Sequence, residues 1–94
     1  MKDKPKIFFH PIEGSAPLSI SWYPGPYGDA HESKEATGVY FSAPNGDLLA
    51  VQFDDVSEAK DHQELTLPNG EKIAVDVIKG KVKVHRTKAT RKTG

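Results

Sequence analysis

The chain has 94 residues, thirteen Lys/Arg against thirteen Asp/Glu, seven Pro, eight Gly and no cysteine. A domain of this length buries roughly 60–65% of its unfolded surface, enough for one modest core, and its composition excludes disulfide staples and thiolate chemistry. No apolar run approaches the roughly 20 residues that a membrane-spanning helix needs, and residues 1–6 carry charge with no apolar stretch behind them. No signal peptide or membrane contact is therefore expected, and the expected location is cytoplasmic.

Residues 4–10 read as a first strand with Ile7, Phe8 and Phe9 in succession, so alternation does not say which of them faces inward. Residues 10–17 hold two prolines and a glycine and read as a loop. From Leu18 the chain alternates, placing Leu18, Ile20 and Trp22 on one face of a half-buried strand. Tyr23-Pro24-Gly25-Pro26-Tyr27-Gly28 follows, a stiff loop carrying flat apolar surface. Trp22, Tyr23, Pro24, Pro26 and Tyr27 are the candidate partner-binding residues, because aromatics that are apolar at one end and polar at the other suit docking surfaces. Residues 29–37 are polar without an apolar stripe and read as a loop or at most one helical turn.

Two later stretches are near copies. Residues 41–53 and 65–77 share a strand, Pro-Asn-Gly and an acid, then an aliphatic followed by Ala-Val, with Asn45 and Asn69 in matching positions. A two-residue Asn-Gly turn would mix polar and apolar side chains on both faces. A Pro-led type I turn closed by a left-handed Gly, forming a bulged three-residue loop, sorts them. That register opposes Leu65 to Ile73 and Leu67 to Glu71 in the second copy. In the first it opposes Val39 to Val51 and Phe41 to Leu49.

Between the copies, residues 55–61 are the best helix candidate, with Asp55 and Glu58 at capping-box spacing. After the second copy, Lys79-Gly80 fits a two-residue turn that opposes Val77 to Val82, Val75 to Val84, and Asp76 to Lys83 as a cross-strand ion pair. Residues 63–86 thus form a three-stranded meander, apolar on one side. Its other side mixes Lys72, Lys83 and His85 with Glu64 and Asp76.

The fold expected is all-β: one domain over residues 1–86 and a flexible basic tail over 87–94. It is a small barrel or two-layer sandwich of about seven short antiparallel strands with at most one short helix (55–61). Its core is drawn from Leu18, Ile20 and Trp22, from Val39, Phe41, Leu49, Val51 and Phe53, and from the inward residues of the meander.

Chemistry is scarce in this sequence. There is no nucleophile elbow and no phosphate-binding glycine loop. The histidines at 10, 31, 62 and 85 show no metal-ligand spacing, and Asp29, His31 and Glu32 alone make a poor set. No enzyme activity, cofactor or metal is expected. The net charge of zero hides a segregation, since residues 77–94 carry seven Lys/Arg and no acid. The expected function is a non-enzymatic adaptor that engages a protein partner through the aromatic–proline loop. The alternative is nucleic-acid binding through the basic C-terminus, with Lys81, Lys83, Arg86, Lys88, Arg91 and Lys92 as its contacts.

Overall fold

The computed structural model describes residues 5–24, 29–68 and 70–87. Eight strands run through them: β1 (Lys6–Phe9), β2 (Ser15–Ser21), β3 (Ala30–Glu32), β4 (Gly38–Ser42), β5 (Leu48–Ser57), β6 (Lys60–Thr66), β7 (Lys72–Ile78) and β8 (Lys81–Thr87). They form two antiparallel sheets, one of five strands in the order β1-β2-β5-β4-β3 and one of three in the order β6-β7-β8. The architecture is therefore two sheets sharing one core, and among the described residues there is no helix. The described residues thus contain no helix long and apolar enough to cross a membrane.

The meander forms in the expected register. Leu67 N–H donates to Glu71 O at 2.9 Å and Gly70 N–H to Leu67 O at 2.9 Å, with Gly70 left-handed at φ 93°. Leu65 then lies opposite Ile73, Val75 opposite Val84, and Val77 opposite Val82. Alternation buries Leu65, Leu67, Ile73, Val75 and Val77. The Lys79-Gly80 turn has both residues at positive φ, as a two-residue hairpin that follows the strand twist requires. It is steadied by Lys79 N–H to Ala59 O and Gly80 N–H to Glu58 O, each at 2.9 Å.

The first copy keeps the same turn but not the same strand register. Ala43 N–H donates to Asp47 O and Gly46 N–H to Ala43 O, both at 2.8 Å. Beyond Ser42 opposite Leu48 the ladder shifts, so that Phe41 faces Ala50, Tyr40 faces Val51, Val39 faces Gln52 and Gly38 faces Phe53. The extra residue is Leu49, whose carbonyl accepts from Trp22 N–H at 2.9 Å. One added residue inverts the facing of everything after it. Tyr40 and Leu48 therefore join the core, and the expected core residues Val39, Phe41 and Leu49 are only half-buried and outside it. Gly38 permits this close pass: a Cβ there would strike the Gln52 carbonyl oxygen and lie 2.9 Å from Phe53 Cα.

Two further expectations are corrected. Residues 55–61 are not helical: β5 continues to Ser57 and pairs Val56 with Ala16, which buries Val56 completely. A helix over this stretch could bury only Val56 and Ala59, whereas the strand gains a ladder as well as burial. Asp61 caps the corner instead, accepting from Ser57 N–H at 2.8 Å. Within residues 29–37, Ala30–Glu32 pairs with β4 as an eighth strand, because a partner edge supplies the order that its own sequence lacks. The loop behind β3 reaches the small sheet. Thr37 Oγ1 donates to Glu64 O at 2.9 Å, and the Glu35 carboxylate accepts from both the amide and the hydroxyl of Thr66.

Replacing Gly38 with alanine should cost about 2–3 kcal/mol, because backbone rather than a flexible side chain occupies the Cβ position. Urea unfolding would show this as a lower midpoint at unchanged slope.

Candidate binding surfaces

Trp22 lies on the core face with Leu18 and Ile20, as its alternation requires, and packs against the core as a partly buried neighbour. The Arg86 guanidinium stands 4.9 Å from its ring centroid, and Arg86 Nε also donates to the Glu71 carboxylate. Glu71 is only 6% exposed, so this pair ties the end of β8 to the turn before β7. Trp22 is thus a core and stacking residue rather than a free platform. Arg86, expected among nucleic-acid contacts, points to the opposite side from Lys81 and Lys83, being an odd number of residues away along β8. Pro26 and Tyr27 lie outside the described residues, as do Lys88, Arg91 and Lys92. Tyr23 and Pro24 are exposed.

The exposed apolar side chains are not scattered. Of the five large ones among the described residues, Ile7 (40% exposed), Phe8 (51%), Ile12 (76%) and Tyr23 (44%) belong to β1, its following turn, or the residues just after β2, and Ile78 (56%) lies on the small sheet. Phe9, opposite Leu18, is the member of the Ile-Phe-Phe run that packs on the core. β1 stands at the end of the five-stranded sheet, so one rim of its backbone faces outward beside these side chains.

The second surface is the outer face of the small sheet. Pairing sets Lys60, Ile78 and Lys81 in one row across the strands, and His62, Asp76 and Lys83 in the next. An open groove of about 890 Å³ runs over these rows, with Lys79 and His85 also at its sides. Asp76 lies opposite Lys83 in the expected register, but the expected ion pair between them does not form. Its carboxylate receives His62 Nδ1 at 2.6 Å and His85 Nε2 at 3.1 Å, while His62 Nε2 meets Glu64 at 3.1 Å. Strand β6 begins three residues earlier than the expected meander and brings His62 to a position where a short, planar ring reaches Asp76 directly.

Both ring nitrogens of His62 face carboxylates, an arrangement that only the doubly protonated ring satisfies. The hydrogen bond to Asp76, then the one to Glu64, accordingly raises the His62 pKa above the ordinary histidine value. Asp76 is lowered chiefly by the same hydrogen bond, and Glu64 by its bond to His62 and then by the charge of Lys72, 3.6 Å away. Elsewhere Asp61 is lowered by the Ser57 amide. Burial pushes Glu35 upward, but its Thr66 hydrogen bonds outweigh that and leave it lowered.

Lys60, Lys79, His62 and Ile78 were missed as site residues. Extending the period-two alternation outward from Val77 and Leu65 would have placed Ile78, His62 and Lys60 on this face. His31 lies beside Tyr40 with ring centroids 5.2 Å apart. Among the described residues no group of three or more His, Asp or Glu is arranged to hold a metal ion.

Stability should depend on pH through His62 with a defined sign. The raised His62 contributes fully below the ordinary histidine pKa of about 6.5 and is lost as pH rises through its folded value. The lowered Asp76 and Glu64 contribute above their ordinary values near about 4 and are lost as pH falls through their folded values. The network should therefore stabilise most between about pH 4.5 and 6.5, and Tm measured across pH should show a maximum there that His62→Gln flattens. Replacing Arg86 with alanine should cost about 2–3 kcal/mol and shift the emission of the single tryptophan, since its cation and ring contact are both lost. No protein-family model, curated protein or solved structure matches this chain.

Proposed function

We propose that this chain is a non-enzymatic binding domain that docks a protein partner along the β1 edge and the aromatic–proline segment beginning at Trp22. The observation that carries the proposal is the edge of β1, uncovered among the described residues, with Ile7 and Phe8 exposed on its two faces and Ile12 and Tyr23 exposed near its two ends. A short edge strand with unpaired backbone groups and apolar side chains is suited to accept an added strand from an extended peptide. Main-chain hydrogen bonds then supply affinity, and the alternate side chains supply selectivity. The aromatic segment contributes through Tyr23, while Trp22 supports it from below through the core and Arg86. The same proposal sets the domain in the cytoplasm, where a chain without cysteine forgoes no disulfide.

Peptides selected from a displayed library against the folded domain should share an extended pattern of alternate apolar residues. Their binding should slow amide hydrogen exchange in β1. Phe8→Lys should weaken them about tenfold or more, and Ile12→Lys and Tyr23→Ala by less, with unfolding midpoints unchanged. Ligands indifferent to all three substitutions would rule this edge out.

A further inference from the structure

The outer face of the small sheet is made by three strands and presents four lysines, Lys60, Lys79, Lys81 and Lys83, around an open groove. Its acids are already engaged. Asp76 is held between two imidazoles, Glu64 bonds His62 and Lys72, and Asp61 accepts from the Ser57 amide. Four lysines stand against two carboxylates, Asp61 and Asp76, in the groove lining, with the Glu58 carboxylate beside the Gly80 turn, so the lining keeps an excess of positive charge. In its middle sits Ile78, 56% exposed, an aliphatic side chain on the polar side of a sheet whose other face already buries Val77 and Val75. The imidazoles of His62 and His85 lie beyond it on the same face.

We propose that this groove binds single-stranded nucleic acid, with phosphates along the lysines and unpaired bases over Ile78 and the imidazoles. Lys81 and Lys83 project from the same side of β8 at an interval of about 7 Å, on the scale of one nucleotide of an extended strand. A base has an apolar face that a duplex hides and a single strand offers, and this is the part of the ligand that Ile78 and the imidazoles can use. A bilayer surface fits less well, because Ile78 is the one exposed large apolar side chain among the lysines. The site differs from a basic arm: it is assembled from β6, β7 and β8, and Arg86 takes no part in it. It is also separate from the β1 edge, so Phe8→Lys should leave it intact.

The test is fluorescence anisotropy of the full chain with a labelled 12-nucleotide single strand, DNA and RNA in turn, at several salt concentrations. The arms are a matching duplex, heparin, and the chain lacking residues 88–94. Four neutralised phosphates at about 0.7 each predict a log–log salt slope near −3. Lys81→Glu with Lys83→Glu should weaken binding about tenfold or more and flatten that slope. Ile78→Ser should weaken it about threefold while leaving the slope alone. These are exposed positions, so unchanged thermal unfolding of each variant would assign the losses to binding. Four results would overturn the proposal: no binding at low salt, equal binding of duplex or heparin, indifference to the lysine reversals, or loss confined to removal of residues 88–94. The last would assign binding to the C-terminal residues alone.

Discussion

Every second residue of β7 is fully buried, and both faces of the small sheet follow from that. Ile73, Val75 and Val77 have no exposed surface, so Lys72, Ala74, Asp76 and Ile78 must stand on the other side. Each buried aliphatic side chain contributes about 1.5–3 kcal/mol, and a slip of one residue would forfeit all three together. Because β7 is the middle strand, its register sets that of β6 and β8 as well. The rows of lysine, histidine and carboxylate on the open face are thus a consequence of how the core is filled.

The two sheets are joined by polar ties as well as by the shared core. At one side the β3–β4 loop lies against β6, the edge strand of the small sheet. Glu35 there accepts from the amide and hydroxyl of Thr66, and Thr37 donates to the Glu64 carbonyl. At the other, Arg86 joins the buried Glu71 to the ring of Trp22. The contacts of Glu35 and Thr37 cover backbone groups of the β6 edge that would otherwise template unwanted pairing. β1 keeps no such cover among the described residues, which is why the proposed protein-docking surface falls there and not at β6.

The two proposed surfaces use different chemistry and lie on different sheets. The β1 edge offers backbone and apolar side chains, while the groove offers four lysines against two lining carboxylates. The segregated charge of the sequence acquires a location in this way. Its cationic residues from 79 to 83 share a face with Lys60, which stands across β7 on β6, and Arg86 is diverted inward to a buried acid.

What the sequence determined by itself is what neighbouring residues encode: the all-β class, the two bulged Pro-Asn-Gly turns, the Lys-Gly hairpin and the pairing of the meander. In each, the turn chemistry and the alternation lie within a few residues of one another. The tertiary structure alone decided the features that depend on distant partners. The bulge at Leu49 exchanges Val39 and Phe41 for Tyr40, and it is held by a Trp22 amide 27 positions away and by the close pass of Gly38. Val56 becomes strand through β2, and Ala30–Glu32 through β4. Asp76 turns to His62 only because β6 starts early enough to deliver it. Local alternation specifies which side of a strand is greasy, but a bulge or a hydrogen-bond partner supplied from elsewhere in the chain is visible only once the strands have met.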